Sequence, residues 1–336
     1  MEMRHGLGVV ALSMAAAVTA LAVSAPPAAA LTAVDLCGGD TACLDELPVA
    51  NDPLVQAQFD TQTPPTQVPV LNPTASGGAS TVGTSSASTM NAAAFPSGYV
   101  TRTQVTTTTY PDKDAGQLAI YFGNATSPSG YCSGSLIGAH LVGTAGHCVY
   151  QSSRGWATRI DFIPGQINST TGYLGGSHPY GTCYGDLFMT VKGWKDSGKD
   201  TYDYGAVRLG SCSVGDRDVG NRAGYAGFHS SSNESIAGLG VNLHGYPSGA
   251  PLYKTPGTMW KGVNGGIYNV QTHLFYYRIQ TADGDSGGPV WRSRSDCGPG
   301  FCLFGVHTAA TVDTSETVAR RITDGMFNNW KNWRSQ

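Results

Sequence analysis

Charge is scarce in this chain. Asp, Glu, Lys and Arg make up 13% of its 336 residues, about half the share of an average soluble domain. The formal net charge is −3, a balance that argues against a nucleic-acid partner, whose phosphates call for clustered Lys and Arg. Paired C-x-x-C motifs are missing, and so is H-E-x-x-H, which leaves a zinc site without its usual ligand spacing. Beyond the first thirty residues no apolar run is long enough to span a bilayer, since a spanning helix needs about 20 such residues.

What the N-terminus does carry is an export pattern. Arg4 precedes the apolar run "GLGVVALSMAAAVTALAV", and small residues around Ala28, Ala29 and Ala30 offer a cleavage site. Residues 1–30 are therefore expected to be a signal peptide, with the mature protein secreted and free of the membrane. Eight cysteines suit that oxidising environment. Their positions suggest four short loops, Cys37 with Cys43, Cys132 with Cys148, Cys183 with Cys212 and Cys297 with Cys302, although spacing leaves many connectivities open. Residues 61–94 hold no charged and no aromatic residue, so they cannot bury enough apolar surface to offset their ordering entropy. Residues 31–95 read as a pro-segment and low-complexity linker, or else as a permanently attached tail.

From residue 96 onward the texture changes. Short β-prone runs such as "GQLAIYFG", "RIDFIPG", "LFMTVKGW" and "YGAVRLG" are punctuated by Gly, Asn, Asp and Pro. A second series follows, with "GVNLHGYP", "GGIYNV", "LFYYRIQT" and "LFGVHTAAT". Such spacing predicts an all-β fold, and two series of similar length predict two barrels, over 96–215 and 216–336. Near the end, Val318, Ile322, Met326 and Trp330 recur every four residues, with Trp333 three further on. That period predicts a C-terminal α-helix with a packed apolar face, capped by Ser315.

The chemistry lies in three short stretches. A serine hydroxyl is a poor nucleophile until a base takes its proton, an imidazole suits that task near neutral pH, and a carboxylate can hold the ring. The chain offers these groups in the order His147 ("GTAGHCVY"), Asp203 ("DTYDYGAVRL") and Ser286 ("GDSGGPV"). Asp203 is preferred to Asp200 because it directly precedes an apolar strand, whereas Asp200 follows "SGK" and looks exposed. An α/β esterase is excluded by chain order, since its serine comes before its histidine.

"TAGHC" together with "GDSGGP" resembles the chymotrypsin-like serine proteases over residues 116–311. The resemblance implies two antiparallel six-stranded β-barrels with a catalytic cleft between them. It also implies Ser286 as nucleophile, His147 as general acid–base, Asp203 as the orienting carboxylate and the N–H groups of Gly284 and Ser286 as the oxyanion hole. It supports the Cys132–Cys148 bridge, no cofactor, protein or peptide substrates and a monomer. At the base of the specificity pocket the resemblance puts Gln280, where a trypsin would have an aspartate, with Thr281 and His307 lining the pocket. A hydroxyl and an imidazole without a carboxylate suit an acidic side chain. This, with stretches such as "LHGYPSG" and "LFGVHTA", is similar to the glutamyl endopeptidase branch. Asp285, Gly288 and Ala310 depart from that branch and leave broad or apolar specificity as the alternative. A catalytically silent binding protein on the same fold is the other reading.

Overall fold

The computed structural model describes residues 41–59, 95–107, 109–170, 172–247, 256–297, 301–311 and 316–336. The expected signal peptide, the linker stretch 61–94, Cys37 and Ser315 lie outside them.

Two strands come before the main body, β1 (Pro48–Ala50) and β2 (Thr103–Gln104). The first series of β-prone runs then forms β3 (Ala115–Phe122), β4 (Gly130–Leu136), β5 (Leu141–Thr144), β6 (Tyr150–Gln151), β7 (Gly155–Pro164), β8 (Cys183–Val191) and β9 (Gly205–Cys212). Neighbours run β3-β4-β5-β9-β8-β7 and back to β3, which closes a six-stranded antiparallel barrel. The second series forms β10 (Gly227–Phe228), β11 (Gly240–Gly245), β12 (Trp260–Val270), β13 (Leu274–Tyr277), β14 (Pro289–Arg292), β15 (Cys302–Thr311) and β16 (Glu316–Arg321). Its ring, β11-β12-β13-β16-β15-β14, is likewise closed and antiparallel. Closure removes the exposed edges that an open sheet must otherwise protect. The fold is all-β and chymotrypsin-like, with few helices. β2 pairs with β12, so the chain touches the second barrel before it winds the first.

The first barrel is filled by Leu118, Leu136, Val142, Ile160, Phe162, Leu187 and Val207, none more than 1% exposed. The C-terminal helix (Asp324–Trp333) lays Met326, Trp330 and Trp333 on this same cluster. Truncating an aromatic buried to that depth typically costs about 3–5 kcal/mol. The second barrel has its own core of Val241, Leu243, Ile267, Phe275, Tyr277 and Phe304. A buried polar strut joins the barrels. His244 of β11 meets Asp112 through Nε2 at 2.8 Å, while the Trp291 indole N–H donates to its Nδ1 at 2.9 Å. Burial holds the His244 ring below its ordinary pKa, and an accepting Nδ1 means that Nε2 carries the proton.

The terminal helix begins later than the period-four pattern predicts. Residues Glu316–Arg321 form β16, and the helix starts at Asp324 after Thr323. Val318 lies in the strand, paired with both β13 and β15. Two ladders of backbone hydrogen bonds, together with the β-branched pair Thr317–Val318, outweigh a side-chain period. Among the described residues three disulfides join Cys132 to Cys148, Cys183 to Cys212 and Cys297 to Cys302. The second of these bridges partners that lie opposite each other on β8 and β9.

Candidate active site

His147 stands in a single helical turn (Gly146–Val149) directly after β5. A Cβ on Gly146 would meet Trp194 at 2.8 Å and the Asp203 Oδ1 at 3.0 Å, so only glycine lets this turn lie against the carboxylate. Asp203 follows a short 3-10 turn (Asp200–Tyr202) and precedes β9. Its side chain grips His147 twice: Oδ1 accepts the backbone N–H at 2.8 Å, and Oδ2 meets Nδ1 at 2.8 Å. The first contact fixes the backbone and the second fixes the ring, leaving Nε2 directed away from the carboxylate. Cys148, the next residue, is tied to β4 by its disulfide. Closing a loop of this size removes unfolded-state entropy worth about 3 kcal/mol.

Burial alone would push the His147 imidazole down. The charge and hydrogen bond of Asp203, with a smaller contribution from Asp200, instead carry it above 6.5. Asp200 is half-buried rather than exposed. Desolvation first, then the neighbouring Asp203 charge, push its carboxyl up to about 6.

Ser286 sits in the turn between β13 and β14 and faces a cleft of about 200 Å³ that His147, Gly284 and Asp283 also line. Its Oγ lies 3.5 Å from the Thr308 carbonyl. Among the described residues no hydrogen bond joins Ser286 to His147. Such contacts are often loose before substrate arrives and tighten in the complex. Gly287 takes φ +84°, and a Cβ there would strike Thr144 Oγ1 at 2.1 Å and Ser133 O at 2.2 Å. A side chain at 287 would thus push the Ser286 turn off the first barrel.

The amides of this turn divide cleanly. Asp285 N–H donates to Ala282 O at 3.1 Å, Gly287 N–H to His307 O at 2.7 Å and Gly288 N–H to Asp285 O at 2.8 Å. Gly284 N–H and Ser286 N–H have no acceptor among the described residues. These are the two amides named for the oxyanion hole. Two uncommitted donors on one turn are chemically able to receive an oxyanion.

Two supports were not visible in the sequence. Ser133 of β4 donates its N–H to Ser286 O at 2.7 Å and its Oγ–H to Gly284 O at 2.8 Å, so the first barrel holds the Ser286 turn by its carbonyls. Arg102 forms a fully buried ion pair with Asp285 at 2.5 Å and donates to Trp260 O at 2.6 Å. Burial still raises the Asp285 carboxyl despite the guanidinium. Neither contact follows a spacing rule, because each partner comes from a distant part of the chain.

The expected pocket residues fall as follows. Gln280 is half-buried, and its N–H donates to Val100 O at 3.0 Å. Thr281 is 1% exposed and lies 3.4 Å from Thr317 Oγ1. His307 is 2% exposed, with Nδ1 at 3.1 Å from the Tyr277 hydroxyl. Burial, aided by the Arg102 charge, pushes its imidazole down to about 3, so the ring is neutral across the physiological range. Neither Thr281 nor His307 is among the residues that line the 200 Å³ cleft shared by Ser286 and His147.

Comparison with known proteins agrees with this architecture. The Trypsin family model matches residues 104–331. The chain is 36% identical over 236 residues to a Bacillus subtilis protein named Extracellular metalloprotease, covering 70% of this chain and 68% of that one. It is 35% identical over 239 residues to Glutamyl endopeptidase of Bacillus licheniformis, covering 70% and 67%. A solved Glu endopeptidase in complex with MPD superposes with TM-score 0.56 at 24% identity, over 70% of this chain and 97% of that one. Protease Anisep from Arthrobacter nicotinovorans also gives 0.56, at 19% identity over 70% and 100%. The family match and the glutamyl endopeptidase relative identify the class as serine endopeptidase. This chain belongs to the trypsin family.

The name of the Bacillus subtilis relative refers to a metal, which the donor set here does not fit. Among the described residues the one grouping of three or more His, Cys, Asp or Glu ligand atoms close enough to share an ion is Cys132, His147 and Cys148. Both sulfurs are spent in a bond to each other, so neither can act as a thiolate ligand.

Proposed function

We propose that this protease is secreted and hydrolyses peptide bonds through an acyl-enzyme on Ser286, with glutamate preferred on the acyl side of the cut. In this reading His147 Nε2 takes the Ser286 proton as Oγ attacks the carbonyl carbon. The carbonyl oxygen becomes an oxyanion received by the N–H groups of Gly284 and Ser286, and such a donor is typically worth about 2.7–4 kcal/mol. The imidazolium then passes its proton to the leaving amine, whose C–N bond breaks. Water, deprotonated by the same ring, releases the acyl group. Asp203 holds the ring with Nδ1 protonated and stabilises the imidazolium. The observation that carries this reading is the doubly bonded His147–Asp203 pair facing the same cleft as Ser286 and two acceptor-free amides. Export is supported by the N-terminal pattern and by the three disulfides among the described residues.

The glutamate preference rests on Thr281 and His307, with Gln280 where a carboxylate would select basic residues. A neutral His307 offers an N–H donor without charge. Its near-complete burial, and that of Thr281, favour a second reading of broad or apolar specificity. Digestion of a peptide library by the purified mature protein separates the two. Cuts should fall mainly after Glu, and Thr281→Val or His307→Phe should lower kcat/KM on Glu substrates about tenfold or more while sparing Leu substrates. Equal losses on both would remove the preference.

A further inference from the structure

Residues 41–59 lie ahead of the uncharged linker, and the proposed chemistry makes no use of them. They are nevertheless seated on the protease body. β7 pairs only with the first two residues of β8, Cys183 and Tyr184, which leaves one edge of its second half open. β1 fills that edge in antiparallel register, Pro48 against Val191, Val49 against Thr190 and Ala50 against Met189. Asn51 extends the ladder: its N–H donates to Phe188 O at 3.0 Å, and its Oδ1 accepts the Phe188 N–H at 2.8 Å. Leu47, Val49 and Val55 are buried.

Beside the strand lies a socket for one carboxylate. Glu46 Oε1 receives the Arg320 guanidinium at 2.9 Å, and Oε2 accepts the Tyr204 hydroxyl. Its backbone carbonyl accepts the Asn329 amide at 2.9 Å. The Arg320 side chain is fully buried, so losing Glu46 would strand a buried cation. The socket is shaped for its guest, because a Cβ on Gly325 would meet Glu46 Cδ at 2.9 Å. Asp45 adds a salt bridge to Lys199 at 2.5 Å. Lys199 and Tyr204 flank Asp203 along the chain, so the segment braces the loop that carries the orienting carboxylate.

We propose that residues 41–59 are a lasting part of the protease domain, which stays docked on the β8 edge and the Arg320 socket after the chain is severed within the 61–94 linker. The severance belongs to the maturation reading of the sequence; the docking does not depend on it. No disulfide would hold the pieces together, since every cysteine beyond residue 59 is paired with another beyond it.

The test places a recognition site for a sequence-specific cysteine protease between Gly77 and Gly78 of the full chain carrying Ser286→Ala, so that retention is read independently of any activity of its own. After cutting, native gel filtration with mass spectrometry should show both fragments in one peak, while denaturing gels separate them with and without reductant. Glu46→Ala and Val49→Asp should each lower the co-eluting fraction at least tenfold, and Leu54→Ala, on an exposed side chain, should not. A variant that misfolds before cutting is replaced by Asn51→Ala, which removes one acceptor only. Separation of the unmutated fragments overturns the proposal, and so does retention that the interface substitutions leave unchanged.

Discussion

His147 and Ser286 face one cleft but are held differently. The first barrel finishes its share of the centre in the free protein: His147 has both its backbone and its ring bonded to Asp203 at 2.8 Å. The second barrel leaves its share open, with Ser286 Oγ turned toward Thr308 O at 3.5 Å and two amides of the same turn without acceptors. In the proposed mechanism the base is thus pre-oriented, whereas the Ser286 turn keeps unmet hydrogen-bonding capacity that a tetrahedral intermediate would satisfy. The shape of that turn is nevertheless fixed, by the Arg102 ion pair to Asp285 and by Ser133 of the first barrel.

Substitutions on each side should break this contrast in different ways. The largest effect is expected from Asp203→Asn. It keeps the shape but presents an amide to the ring and favours the wrong tautomer, so kcat should fall on the order of 10⁴-fold with KM little changed; steady-state kinetics on one peptide substrate measures both. Next is Arg102→Met, which leaves Asp285 buried without its partner. Urea unfolding should show a loss of about 3–5 kcal/mol, and the double variant with Asp285→Asn should recover much of it. Failure of that recovery would mean that the ion pair does not hold the turn.

The smallest effect concerns pH. His147 must be neutral to act as a base, so kcat/KM should fall as pH drops through a pKa raised above 6.5. Part of that rise comes from Asp200, and Asp200→Asn should move the acid limb to lower pH without changing the plateau. Asp200 also has a stability sign. Its folded-state carboxyl, near 6 against an ordinary 3.8, favours the fold below the lower value and loses that contribution as pH rises through the upper. The variant should therefore lose the fall in stability between those limits, as read by thermal melts across pH.

Much of the architecture was legible because barrel strands are short runs between Gly and Asp turns, and because the three chemical stretches are local. The rest was not local. Val318 and Ile322 share the spacing of a helical face, yet the residues between them are claimed by two neighbouring strands. Asp200 looked exposed beside a lysine, but packing against the Asp203 loop half-buries it. Arg102 and Ser133 lie 183 and 151 residues from their partners Asp285 and Gly284, so no window along the chain could join them. That residues 41–59 add a strand to the first barrel's sheet was not legible either, because a three-residue strand has no period to detect.

The central claim is that Ser286 becomes nucleophilic only through His147. Labelling with an organophosphonate, followed by mass spectrometry of the digested protein, measures this directly. One adduct is expected, on Ser286, formed at least about 10³-fold more slowly in His147→Ala. An adduct on any other residue, or equal labelling with and without the imidazole, would contradict it.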